Sequence, residues 1–266
     1  LAAWLAATAV VVPLRWVSPE ALRTIARTFV SGCCVSGAVG ILVVIADPGG
    51  AMLARLAFLG YSTGGGNARQ VMGDDGNHSR LTGTFVEPNI AGLILLVGLL
   101  LAIVYLTNWQ RAASVALIGA ALLLTLSRAA IGSLILALFI MVLFSRAHRF
   151  RLLLVGVASA LASLAIPDVR LRLFDSFGAT DTGSIARIAA FQDFPNMVAG
   201  HWWWGLGWAR EEFRTDLSVN FVANMPLLHV YRAGLVFGLL VAVILVALTI
   251  RSLLVARRGT LAAAVL

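Results

Sequence analysis

Three arginines and one short polar cluster are the residues of this chain best suited to chemistry. The stretch Arg80-Leu-Thr-Gly-Thr-Phe-Val-Glu87-Pro88-Asn89 runs directly into a strongly apolar segment. A guanidinium, a carboxylate and an amide therefore collect at the mouth of a membrane helix. Arg128, in Leu124-Thr-Leu-Ser-Arg128, lies between two apolar runs, and Arg187 lies in a long loop. A guanidinium fork matches phosphate oxygens in bidentate fashion, so three arginines on one membrane face suit a lipid-linked diphosphate. The alternative for each is to snorkel to headgroups or to pair with loop acids. The chain has no lysine, so a preference for arginine carries no information. Glu87-Pro88-Asn89 reads in two ways as well. It is either a plain helix start, with proline where its missing N–H costs nothing, or a site where Asn89 orients a ligand and Glu87 serves as a base or an arginine's partner.

The elements that must position these groups belong to a membrane. Apolar residues make up 60% of the sequence and charged residues 12%, with mean hydropathy +0.94, which excludes a soluble domain of this length. The apolar runs are continuous, where a β-barrel would alternate, so the fold class is all-α. Runs at about 1–14, 28–46, 89–107, 112–126, 129–144, 152–166 and 226–250 predict about seven spans. The stretch 112–144 is too long for one span, and a hairpin bent near Ser127-Arg128 resolves it.

Charge supports that hairpin. It puts Arg15, Arg23, Arg27, Arg111, the Arg146–Arg151 cluster, Arg251, Arg257 and Arg258 on one side with one acid, Glu20, and leaves the other side with as many arginines but eleven acids. This is the asymmetry of the positive-inside rule, so the sequence pI of 11.1 reports topology rather than nucleic-acid binding. Two extracytoplasmic loops follow, 47–88 and 167–223, both too long to be simple connections. The chain is expected to be one membrane domain and a piece of a longer protein. Its adjacent Cys33 and Cys34, within an apolar run, are read as small packing residues.

Other candidates carry plainer alternatives. Ile185, Ile188 and Phe191 recur at helical spacing opposite Arg187; Trp202-Trp203-Trp204 either stack on sugar rings or anchor at the interface, and Gly205-Leu206-Gly207 marks a turn. Asp74-Asp75 near His78 have no further ligand pattern and read as solvated, so no metal is expected. His229, on the last span, reads as structural.

In order, these pieces resemble the O-antigen ligase and polymerase family, polytopic bacterial enzymes that handle undecaprenyl-diphosphate-linked glycans. The resemblance runs from Arg80 to Asn89, through Leu124–Arg128, Ser184-Ile-Ala-Arg187 and Gly205-Leu-Gly207, to Asn224-Met-Pro-Leu-Leu-His-Val-Tyr-Arg-Ala-Gly234-Leu-Val-Phe-Gly238. It implies a large extracytoplasmic loop over a membrane-embedded cavity, with further helices ahead of Leu1. It also implies that Arg80, Arg128 and Arg187 hold the donor diphosphate with Asn89, and that Glu87 and Asn224 belong to the catalytic set. The chain departs from the family in one respect: where the family has His-Asn, with the histidine acting on the acceptor hydroxyl, this sequence has Ala223-Asn224. The chain is then an altered or inactive form, a polymerase branch with another base, or a protein in which His201, His229 or Glu87 serves instead.

The function implied is transfer of a glycan from undecaprenyl diphosphate to a hydroxyl of a glycolipid or polysaccharide acceptor, at the outer face of the bacterial cytoplasmic membrane. It needs membrane lipid but no cofactor, nucleotide or nucleic acid. The rival is a non-catalytic polytopic protein, a transporter or assembly partner that binds lipid-linked glycan without reacting it. A transporter favours charges deep within broken spans, whereas here they sit at ends and in loops, Arg232 excepted.

Overall fold

Ser18 starts the first helix. Its Oγ accepts from the Ala21 amide at 3.2 Å, Pro19 takes the first position and Glu20 sits in the first turn, so α1 runs Pro19–Ala46 and begins well before the apolar run at 28. The computed structural model describes residues 18–47, 55, 70–71, 78–85, 87–144, 156, 182–207 and 225–256. After α1 come a two-residue ladder, β1 (Gln70–Val71) antiparallel to β2 (His78–Ser79), and then α2 (Pro88–Tyr105), α3 (Asn108–Leu124), α4 (Arg128–Phe144), α5 (Thr182–Met197) and α6 (Met225–Ala256).

Glycines set how closely the first helices approach. A Cβ on Gly37 of α1 would lie 3.1 Å from Ala121 Cβ on α3, and one on Gly98 of α2 would meet Cys33 Sγ on α1 at 2.5 Å and Ile118 on α3 at 3.8 Å. Small residues let backbones approach where lipid supplies no hydrophobic drive between helices. Cys33 is buried and Cys34 partly so, both as free thiols, in keeping with the packing role expected of them. Around this contact Val30, Leu95, Leu99, Ile118 and Leu122 form one apolar core, which α4 joins through Ile131, Leu134, Leu138 and Met141. A second, smaller cluster joins Phe194 of α5 and Val198 to Val230 and Tyr231 of α6.

The all-α class holds for the described residues, apart from the short ladder, but about seven spans do not. Among those residues there are six helices, of which three are long and apolar enough to cross a membrane: Glu20–Ala46, Pro88–Tyr105 and Leu227–Arg251. They correspond to the runs expected at 28–46, 89–107 and 226–250. The runs at 112–126 and 129–144 form helices, but α3 and α4 have 17 residues each. At 1.5 Å per residue that is roughly 25 Å, short of a hydrocarbon core of about 30 Å. An apolar run thus located a helix without establishing a span. The runs at 1–14 and 152–166 lie outside the described residues.

The break expected near Ser127-Arg128 is present, and its chemistry is local. Thr125 Oγ1 donates back to Leu122 O at 2.7 Å, Leu126 takes a left-handed φ of 52°, and Ser127 Oγ accepts from the Ala130 amide at 3.4 Å, capping α4. Arg128 is consequently the first residue of α4.

Candidate functional site

The segment after β2 passes through the bundle rather than over it. Leu81 is fully buried in the main core, and its amide donates to Leu124 O at 2.8 Å. Thr84 donates from both its amide and its hydroxyl to Ser36 Oγ on α1, at 3.2 and 3.0 Å. Between them Gly83 has φ 61°, and a Cβ there would come within 2.6 Å of Ser36 Oγ. Only glycine fits that position, which explains the Leu-Thr-Gly-Thr wording. Leu81 likewise fills the space over Gly40, where a Cβ would lie 2.7 Å from the leucine side chain.

This seat fixes Arg80, which is 9% exposed. Its Nε donates to Thr125 O at 2.9 Å and its Nη2 to Asn89 Oδ1 at 2.9 Å; Asn89 Nδ2 in turn donates to Glu87 Oε1 at 2.9 Å. A buried guanidinium must have such acceptors, because desolvating the charge without them costs several kcal/mol, on the order of ~3–5 when a partner is removed. The carbonyl end of α3 is a suitable one, being the negative end of the helix dipole.

Two helices begin at the same place. A Cβ on Gly92, in the first turns of α2, would lie 2.9 Å from Ala130 Cβ, 3.0 Å from Ser127 Cβ and 3.1 Å from Thr125 Oγ1. The starts of α2 and α4 are therefore in contact, with Arg128 half-buried at the head of α4. Two positive helix ends and two arginines at one locus suit an anion.

The other candidates are placed less completely. Arg187 lies on α5, whose helical pattern was correctly expected, but its side chain is outside the described set. On α5 Ile188 and Phe191 are exposed, and Phe194 is the residue that packs against α6. Ala223, Asn224, Asp74 and Asp75 also lie outside the described residues. His201 is exposed, with Nδ1 donating to Ala199 O at 3.1 Å. His229 is 3% exposed and stacks on Phe237 with ring centroids 5.7 Å apart, a packed position on α6.

The tryptophan segment has a backbone role. At Gly234 (φ 86°, ψ 173°) α6 is interrupted, and the carbonyls of Tyr231 and Arg232 accept from Leu206 and Gly207 amides at 2.7 and 3.0 Å. The Leu235 amide donates to Trp202 O at 2.7 Å. The loop thus replaces the helical bonds lost at the break, which an apolar setting requires. Trp202 packs edge-on to Phe194 at 6.2 Å, while Trp203 and Trp204 stay exposed.

Sequence reasoning singled out Arg80, Glu87, Asn89 and Arg128 as candidates but not the residues packed around them: Thr125, Ser36, Gly40, Gly83 and Gly92. One signal was available, the four-residue spacing of Ser36 and Gly40 in α1, a pattern of close helix approach.

Residues 112–230 match the family model described as O-antigen ligase. The match includes Arg128, Arg187, Asn224 and His229, and Arg80, Glu87 and Asn89 precede it. No curated protein and no solved structure matches the chain.

Proposed function

Starting from an O-antigen ligase domain over residues 112–230, we propose that this chain transfers a glycan from undecaprenyl diphosphate to a hydroxyl of a glycolipid or polysaccharide acceptor. The reaction belongs at the outer face of the bacterial cytoplasmic membrane. The observation that carries the reading is the setting of Arg80: a buried guanidinium bonded to Thr125 O and Asn89 Oδ1, where α2 and α4 both begin and Arg128 heads α4.

The acceptor hydroxyl oxygen attacks the anomeric carbon and gives up its proton to a general base, the bond from that carbon to the diphosphate oxygen breaks, and undecaprenyl diphosphate departs with the electron pair. Negative charge grows on the leaving diphosphate, so fixed cations at that point lower the barrier more than they tighten binding of the intact donor. Arg80 and Arg128 supply that charge from the helix junction, and Arg187 joins them from α5. Asn224, in the matched domain, orients the acceptor.

The test is transfer by the protein in proteoliposomes from a short undecaprenyl-diphosphate-linked glycan to a glycolipid acceptor. A new glycosidic product with release of undecaprenyl diphosphate supports the reading. Tight donor binding with no turnover on any acceptor contradicts it and favours the binding-only alternative.

A further inference from the structure

We propose that Glu87 is a positioning residue: its carboxylate sets the orientation of the Asn89 amide, which in turn aims the Arg80 guanidinium. The proposal rests on the transferase reading and assigns within it a role for a carboxylate that sequence left between base and partner. An asparagine amide has one accepting and one donating end, and the two orientations fill nearly the same volume. Arg80 offers only donors, so the productive orientation points Oδ1 at Nη2, as found at 2.9 Å. The flipped amide would set donor against donor. An ionised carboxylate can only accept, so Glu87 Oε1, 2.9 Å from Nδ2, selects the productive orientation from the other end.

Two further features fit this role. Glu87 occupies the N-cap position of α2 with extended backbone (φ −123°, ψ 131°), yet its side chain makes no capping bond to the helix amides. An acidic N-cap residue ordinarily spends its oxygen on those amides; here the oxygen is turned to Asn89 instead. Thr125 O fixes the Nε edge of the same guanidinium, so Asn89 is the second point that defines its plane. Two points are what a planar fork needs to be held in one orientation.

The experiment compares Glu87→Ala, Glu87→Gln, Asn89→Ala and the double variant Glu87→Ala/Asn89→Ala in proteoliposomes, measuring transfer across pH and, separately, binding of undecaprenyl diphosphate. Glutamine keeps an accepting oxygen and loses only the charge. The expected result is that Glu87→Gln stays within about threefold of the parent with an unchanged pH profile. Glu87→Ala and Asn89→Ala should each lose about tenfold in kcat/KM, and the double variant should lose no more than either single one, because both act through one guanidinium. The binding constant for undecaprenyl diphosphate follows the same order. If Glu87→Ala does not fold, Glu87→Asn, too short to reach Nδ2, replaces it.

A Glu87→Gln variant as damaged as Glu87→Ala, with the acid limb of the pH profile lost, overturns the proposal in favour of a base. Additive losses in the double variant overturn it too. If the parent binds undecaprenyl diphosphate and Glu87→Ala binds it equally well, the positioning role fails while the transferase reading stands. A parent that neither binds nor transfers sinks both.

Discussion

Thr125 accepts, through its backbone carbonyl, a 2.9 Å hydrogen bond from Nε of Arg80, a residue 45 positions earlier in the chain. The bond forms where α3 ends, because the turn at Thr125–Ser127 leaves that carbonyl outside the regular helix. It ties the segment ahead of α2 to the junction of α3 and α4. The chemistry of Arg80 therefore depends on how closely these helices approach.

Glycine substitutions should separate close approach from open surface. A Cβ at Gly40 or Gly92 would fall within 2.7–2.9 Å of its neighbours, whereas at Gly119 and Gly132 it meets nothing within 4 Å. Gly119→Ala and Gly132→Ala should raise the unfolding midpoint in detergent, since alanine in an open helical position gains roughly 0.5–1 kcal/mol. Gly40→Ala and Gly92→Ala should lower it by an overpacking cost of about 1–3 kcal/mol, and Gly92→Ala should also slow transfer. Thermal unfolding of the four variants checks the order.

The interruption of α6 should tolerate nothing but glycine. At φ 86° and ψ 173° a Cβ on Gly234 would overlap the Trp203 carbonyl. Backbone strain alone costs about 1–3 kcal/mol there, before the overlap is counted. Gly234→Ala should release the 201–207 segment, seen as faster limited proteolysis there with the rest of the protein protected. Unchanged proteolysis contradicts the backbone clamp.

How far the sequence revealed this arrangement depends on the range of the interaction. Local signals were readable: Glu87-Pro88 starts α2, Ser127-Arg128 starts α4, and the helical spacing around Arg187 belongs to α5. The number of spans was not, because the apolar runs at 112–126 and 129–144 fold into helices of only 17 residues, short of membrane length. The residues that hold Arg80 were not readable either. Thr125 contributes a main-chain oxygen, which no side-chain pattern announces, and Ser36 and Gly40 act on Leu81–Thr84 only once α1 is packed. Gly234 escaped notice because a glycine inside an apolar run signals a break only when a loop arrives to fill it.

The loops 47–88 and 167–223 are proposed to share the extracytoplasmic side, on the charge asymmetry of the sequence. Single cysteines at Ser79 and Thr180, in a background with Cys33 and Cys34 replaced by alanine, should both react with a membrane-impermeant thiol reagent on intact cells. Reaction at only one of them rejects a shared face.

The sequence resemblance to the O-antigen ligase and polymerase family implies a histidine where this chain has Ala223, beside Asn224. General base assistance is worth typically ~100- to 10,000-fold, so Ala223→His should raise transfer by at least about tenfold with donor affinity little changed. No gain in rate means that proton removal from the acceptor is handled elsewhere.

The most direct measurement is the transfer rate of Arg80→Ala and Arg80→Lys beside Arg251→Ala, an exposed arginine on α6, all in proteoliposomes with folding confirmed. Loss of one partner of a buried charge-assisted contact costs about 2–5 kcal/mol, or on the order of 30- to 5,000-fold in rate. Lysine has no planar fork with which to engage Thr125 O and Asn89 Oδ1 together in one fixed orientation. Both Arg80 variants should therefore fall by that factor, with Arg251→Ala unchanged. A folded Arg80→Ala protein that transfers glycan at the parent rate would contradict the assignment of Arg80 to the donor diphosphate.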